Sequence, residues 1–489
     1  MRNKFRIETT YNCSFVGAHC VRPGGTSNNC IAGPDGGRTQ CTPTQTRGGI
    51  ISRFLLAACL LMLPASVHAK EYDLSELYKL AKATDPTVSR AEARLEAGKA
   101  DKEIAWAALL PRVSANGSIR EIHHEVLYYA KVPVDGKYTG FSYGAGAATS
   151  LYNLPSWYQI SAADAGINSA DTGLQAARQD LIVRLLDAHL RYLKARADEK
   201  LYRDELSRVG KVLAQSEAFL KAGTGDIIAV YEAKARLDSA AADMVKTEGI
   251  LRLALQNLSS LTGVVVDSVK DISVDKSSGP QPVEQEWWVD TMQRRSPALL
   301  QAKEDLLQAE ENRKAANAGH LPTLSGNGGY TVDKGSTFLP KVETRQWYIG
   351  LQLNVPIYSG GETAARTRRA LAGESERRAM LDDAQTQAIR RLKEAYLNLS
   401  YNQSLVEAYR RKHESSELQL KAVQKGRDIG TRTAIDLLNA EQTYAVSRRD
   451  LISALYDNVQ RQIELKSAAG ILSEDDLAAV SGKTAVAKQ

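Results

Sequence analysis

Between Gln346 and Gly361 the chain reads QWYIGLQLNVPIYSGG. Trp347, Ile349, Leu351, Leu353, Val355 and Ile357 alternate with Tyr348, Gly350, Gln352, Asn354 and Pro356. Period two predicts a strand with one apolar and one small or polar face. A weaker alternation sets Phe141, Tyr143, Ala145, Ala147 and Leu151 against Ser142, Gly144, Gly146, Ala148 and Ser150. Upstream partners are fainter still: Leu324, Tyr330 and Val332 against Ser325, Asn327 and Thr331, and Val113 to Arg120 in the first hairpin. Each pair predicts a hairpin of two strands of about ten residues, at about 110–152 and about 322–358.

Elsewhere the period is helical. No proline occurs between Pro155 and Pro280, or after Pro356, so helix runs there without a breaker. Leu181, Leu185, Ala188, Tyr192, Ala195, Tyr202, Leu206, Val209, Leu213 and Leu220 recur in steps of four and three, with Glu199 and Ser216 at skipped positions. That heptad seam predicts left-handed supercoiling. A second seam is clear at Ala388, Leu392, Ala395 and Leu399. A helix from Ser156 to Ala222 would be about 100 Å long. Each long helix has one break, at Gly223-Thr224-Gly225 and at Gly430-Thr431. Glycine suits a reversal that needs positive φ.

The two halves are copies. DPTVSRAEARLEAGKADKEIAWAALLPRVSANG matches SPALLQAKEDLLQAEENRKAANAGHLPTLSGNG, so that Ala91, Leu95, Asn116 and Gly117 recur as Ala302, Leu306, Asn327 and Gly328. The resulting domain plan is a first repeat at 70–262, a linker at 263–288 carrying Gly279-Pro280-Gln281-Pro282, a second repeat at 289–472 and a disordered tail at 473–489.

A coiled-coil stalk would account for the helices alone, and the strands argue against it. Ten residues is the length that crosses a bilayer in a tilted barrel. Four strands cannot close, and lipid tolerates no open edge. Three copies sharing a 12-stranded β-barrel is the simplest solution that leaves a channel.

Composition adds a compartment. All five cysteines, Cys13, Cys20, Cys30, Cys41 and Cys59, precede residue 70. RFLLAACLLMLPASVHAK, Arg53 to Lys70, reads as a signal peptide cleaved after Ala69, preceded by an unusual extension. Lipidation at Cys59 is disfavoured because the apolar run continues past it. The remainder then has no cysteine to mispair in an oxidising compartment. Seven of the 63 basic and two of the 57 acidic residues lie before residue 70, leaving 56 against 55. That balance gives no case for nucleic-acid binding.

With duplicated strand-helix units, the mature chain resembles the TolC family of outer-membrane channel proteins over essentially its whole length. The carrying residues are Gly430-Thr431-Arg432-Thr433 with Asp436 and Leu437, LYNLPSWYQISAADAGINSA after the first hairpin, and VPIYSGGETAAR after the second. The resemblance implies a homotrimer in outer-membrane lipid, a coiled α-helical barrel through the periplasm, and a role as exit duct for efflux pumps or type I secretion. Its partners would be a periplasmic adaptor protein and an inner-membrane transporter. A periplasmic coiled-coil adaptor or scaffold is the competing reading.

The resemblance makes Gly223, Thr224, Gly225, Gly430 and Thr431 the periplasmic tip turns. It puts Arg432 and Asp436 at the gate, with Asn439 where the founding member has a second aspartate and Ile228 and Ala229 where it has a polar pair. Trp347, Ile349, Leu351, Leu353 and Val355 are the expected lipid-facing residues. No catalytic, cofactor or metal constellation is expected. His123-His124 reads as solvated residues in an extracellular loop, and Ser481-Gly482-Lys483-Thr484 lacks the earlier glycine of a phosphate loop, Leu477 standing there.

Overall fold

Proline and its predecessor set the helix starts. Asp85 precedes Pro86, and its carboxylate accepts the backbone N–H groups of Thr87 and Val88 at 2.9 and 3.0 Å, capping the helix that follows. Arg184 reaches the same carboxylate at 2.9 Å. These hydrogen bonds, led by Arg184, outweigh burial and hold the Asp85 carboxyl far below its usual range. Pro297 opens the corresponding helix of the second repeat without a side-chain cap from Ser296.

The computed structural model describes residues 71–127, 133–272, 284–335 and 343–481. The leader with its five cysteines and Ala69, the Gly279–Pro282 stretch and the chain after Ser481 lie outside these residues. In order, the elements are β1 (Glu71–Tyr72), α1 (Leu74–Thr84), α2 (Pro86–Ala107), β2 (Arg112–Leu127), β3 (Pro133–Tyr152), α3 (Leu154–Lys221), α4 (Ile227–Thr262) and β4 (Ser268–Val269). The second half has α5 (Gln285–Arg295), α6 (Pro297–Ala318), β5 (Thr323–Lys334), β6 (Glu343–Asn354), α7 (Glu362–Asp428), α8 (Ala434–Ala468) and α9 (Glu474–Val480).

The fold is mainly helical. The hairpins β2–β3 and β5–β6 join through β3 and β5 into one antiparallel sheet of order β2-β3-β5-β6. From the sheet, α3 and α7 each run about 100 Å, packing first on α2 and α6 and then on α4 and α8. No helix among the described residues is long and apolar enough to cross a membrane.

The main core lies midway along α3. Leu181, Leu185, Ala188 and Tyr192 of the expected seam are buried there, with Leu258 of α4 and Val459 and Ile463 of α8. A second buried line, Ile182, Leu186, His189 and Leu193, was not expected. It is covered by α1 and a two-strand strap in which β1 runs parallel to β4. Leu220, the last seam residue, is exposed in the final turn of α3.

Several boundaries differ from expectation. The tail assigned as disordered forms α9 from Glu474 to Val480, with Leu477 buried against the main core and Lys82 of α1 bonded to Glu474 at 2.8 Å. The segment treated as a linker contributes β4 and the start of α5. The first hairpin has strands of 16 and 20 residues, well beyond ten. His123 therefore sits within β2, opposite Lys137, and not in a loop. Val355 and Ile357 lie past the end of β6, because Pro356 supplies no ladder N–H.

Candidate functional site: an apolar sheet face and two helical tips

Trp347, Ile349, Leu351 and Leu353 occupy one face of β6 and are 65 to 84% exposed. Their register partners on β5 are Tyr330, Gly328, Gly326 and Leu324. The band ends at Arg345, bonded to Glu343 at 2.7 Å. The other face carries Gln346, Tyr348, Gly350, Gln352 and Asn354. An exposed apolar band ending at charges, with a polar reverse face, matches lipid on one side and water on the other. At the helical end of the sheet Trp106 and Trp157 meet edge to face at 5.6 Å, both partly exposed. Sequence reading passed over this pair, although tryptophan flanking strand ends is a membrane-interface signal. Strands β2 and β6 are both sheet edges.

The tips lie at the far ends of the long helices and are one turn used twice. At the first, Gly223 has φ +73° and donates to Leu220 O at 3.0 Å, while Thr224 N–H reaches Phe219 O at 3.0 Å. At the second, Gly430 has φ +78° and donates to Arg427 O at 2.9 Å, while Thr431 N–H reaches Gly426 O at 2.8 Å. Both are glycine-terminated Schellman caps, which use the left-handed region. Gly225 N–H also bonds Phe219 O, and Arg432 N–H bonds Gly426 O. The pairs differ in where the small residue sits: Phe219 with Gly225 at one tip, Gly426 with Arg432 at the other. A Cβ on Gly426 would come within 2.8 Å of Arg432 Cγ, so the glycine makes room for the arginine stem.

Beyond the second turn, Thr433 caps α8. Its backbone N–H donates to Asp436 Oδ2 at 3.0 Å, and its hydroxyl accepts the Asp436 N–H at 3.1 Å. The backbone bond first, then the Thr433 side chain and the Arg432 charge, hold the Asp436 carboxyl below its usual range. Arg432 lies before the start of α8 at Ala434, and the Asp436 carboxylate is turned to its own cap. Among the described residues Arg432 forms no ion pair. Asn439 is exposed, one turn further along α8. Thr433-x-x-Asp436 is a capping box and was legible as one.

Contacts between the two helical hairpins lie just behind the tips. Arg427 of α7 donates to Gln215 of α3. Leu438 of α8 packs on Val209, Val212 and Ala233 of α3 and α4. Arg208 stands 4.0 Å from Glu441, whose carboxyl is pushed up by burial. Residues 219–231 expose Phe219, Ile227, Ile228 and Tyr231. Among the described residues no group of His, Cys, Asp and Glu gathers as a metal site.

This architecture, strands and long helices used twice, is that of an outer-membrane export channel. The family model described as outer membrane efflux protein matches residues 77–264 and 288–471. The chain belongs to that family. It is 27% identical over 439 residues to outer membrane protein TolC of Vibrio cholerae, covering 89% of this chain and 98% of the relative. It is 25% identical over 437 residues to the alkaline protease secretion protein AprF of Pseudomonas aeruginosa, covering 88% and 90%. The solved structure of the outer membrane protein VceC from Vibrio cholerae shares the fold at a TM-score of 0.70 and 18% identity, covering 81% of this chain and 96% of that one. The protein is thus an outer-membrane exit duct of efflux or type I secretion that extends into the periplasm.

Proposed function

We propose that three copies form the working channel, with β2 of each pairing with β6 of the next to close a 12-stranded barrel in outer-membrane lipid. The observation that carries this reading is the four-stranded sheet, with its apolar outer face and two open edges. Unpaired backbone groups cannot remain in hydrocarbon, and a second copy supplies their partners. The helices would continue as a coiled tunnel ending at the tip turns of Gly223, Thr224, Gly225, Gly430 and Thr431. There Asp436 would form a threefold ring of negative charge, with Arg432 and Asn439 beside it as the gate. The tips would meet a periplasmic adaptor protein and, through it, an inner-membrane transporter. The duct itself is passive: no catalytic or cofactor chemistry is assigned to it.

Cell fractionation tests the membrane assignment against a periplasmic scaffold. A duct stays with the outer membrane through an alkaline wash, whereas a scaffold washes free.

A further inference from the structure

Four helices share one row of polar contacts at a single height. Arg236 of α4 bonds Glu205 of α3 at 2.9 Å. One turn along α3, the Tyr202 hydroxyl accepts from Arg449 of α8 at 3.5 Å. Beside Arg449, Asp450 binds Lys412 of α7 at 2.9 Å. The row therefore runs α4, α3, α8, α7, and its two ends are open. Asp238 stands two residues after Arg236, and Arg411 one residue before Lys412. Because α4 leaves the tips and α7 approaches them, both lie on the side of the row away from the tips, within about 3 Å of it. Both are exposed, and among the described residues neither has an ion pair. Arg411 reaches only the Glu407 carbonyl of its own helix, at 3.4 Å.

Each end residue sits in an exposed stripe of heptad spacing. On α7 the buried line includes Leu399, Asn402, Val406 and Ser416, with Asn402 and Ser416 bonded to α8. Two residues after each, about 200° round the helix, come Tyr401, Ser404, Ala408 and Leu418. This stripe runs in steps of four and three from Leu397 to Ile429, and every member is exposed. Its charges are Arg411 and Lys425, and its small members are serines and alanines. On α4 the buried line Ala233, Ala240 and Thr247 repeats every seven residues. The exposed line Tyr231, Ala235, Asp238, Ala242 and Val245 lies on the far side of that helix. The large apolar members of both stripes are 62 to 76% exposed, so the chain itself leaves them uncovered.

The two stripes bound opposite ends of one row, and their charges at the row's height are opposite. Rotation about an axis parallel to the helices keeps height, so a second copy offers each stripe its complement. We propose that α4 of each copy packs against α7 of the next along these stripes, with Asp238 paired to the next copy's Arg411. The helices are antiparallel, which levels Ala242 with Ala408 and Tyr231 with Leu418. Facing alanines let the backbones approach, and the large residues fill the gaps between small ones, as in a coiled coil. Lys425, the other charge, is level with the first tip turn and outside the packed stretch. Three rows then close into a collar round the tunnel about 27 Å above the tips, the rise from Arg411 to Ile429. The proposal rests on the trimer reading above.

Paired cysteines test it. The native cysteines all precede residue 60, and the unsubstituted chain run in parallel supplies the blank. Within one copy positions 238 and 411 lie at opposite ends of the row, so a bridge between them joins chains. Under mild oxidation Asp238→Cys with Arg411→Cys is expected to give covalent dimers and trimers in most of the protein. Arg252→Cys with Arg411→Cys, about 21 Å further along α4, is expected to give at least fivefold less. Ala242→Cys with Ala408→Cys reports on the charges. Adding Arg411→Asp should cut its linking at least threefold, and adding Asp238→Arg as well should restore it. If either matched pair stays unlinked in a sample that light scattering shows to be trimeric, if the mismatched pair links equally well, or if reversing both charges fails to restore linking, the proposal fails alone. A monomeric sample overturns the trimer reading with it.

Discussion

Thr433 and Asp436 bond each other reciprocally, N–H to carboxylate at 3.0 Å and N–H to hydroxyl at 3.1 Å. The residue proposed to charge the gate is therefore also the clamp that starts α8. The two roles separate by mutation. Asp436→Ala removes clamp and charge together, while Thr433→Ala removes the hydroxyl and leaves the charge. Amide exchange at residues 434–437 should quicken in both variants, and cation selectivity in planar bilayers should fall only in Asp436→Ala. Equal loss of selectivity in Thr433→Ala would mean that Asp436 acts through the turn and not through the pore. Its carboxyl is held low, so it stays ionised from neutral pH down through the ordinary carboxylate range. Both the clamp and the selectivity should persist to below about pH 4 and then be lost as the pH falls further.

The tip glycines should not tolerate a side chain. Gly223→Ala and Gly430→Ala each force a Cβ into the left-handed region, at a cost of about 1–2 kcal/mol per site. Gly426→Ala acts differently: its new Cβ displaces the Arg432 stem. Limited proteolysis should show cleavage near residue 223 or 430 rising in the first two variants. In the third, nearby cleavage should change little while the Arg432 environment shifts. Unchanged cleavage in all three would contradict the turn assignments.

The proposed lipid and lumen faces are distinguished one residue apart. Leu351 lies on the exposed apolar face opposite Gly326, and Gln352 lies on the polar face opposite Ser325. Leu351→Arg should cost about 2–4 kcal/mol near mid-bilayer, while Gln352→Arg costs far less. Refolding yields into lipid vesicles check the order, and a reversed order means the faces are assigned backwards.

Acid should weaken the middle of the molecule through His189. Its ring is fully buried under the β1–β4 strap, and burial pushes its pKa down to about 4. The Lys270 backbone and the carboxylates of Asp73 and Asp271 oppose that shift only in part. Tyr456, in the same cluster, feels the charges of both Asp271 and Arg196. The unfolded chain takes up the proton near pH 6.5, so stability falls as the pH drops from about 6.5 to about 4, by about 3 kcal/mol in total. Thermal unfolding in detergent at pH 7 and pH 4.5 should show a smaller acid loss in His189→Leu than in the parent. An equal loss in both would remove His189 from the account.

The long seam on α3 was legible because its residues repeat at one helical period and meet other long helices, α4 and α8. The second line through Ile182, Leu186, His189 and Leu193 was not. It meets α1, β1 and β4, whose short segments carry no periodic signal, and a histidine at its centre reads as polar. The strands of the second hairpin announced themselves through Trp347 to Leu353. The first hairpin's excess length did not, because past Phe141 its charges look like a loop and only cross-strand register shows them to be paired. At the tips, glycine marked both turns. The Gly426–Arg432 exchange was not legible, since the two residues touch only after the chain has reversed.

The count of chains per particle tests the central claim most directly. Light scattering of the purified protein in mild detergent, corrected for bound detergent, should give three chains per particle. The count should hold on dilution, because in the proposed barrel each sheet edge is satisfied only by a neighbour. A monodisperse single chain with its sheet intact would contradict the shared barrel.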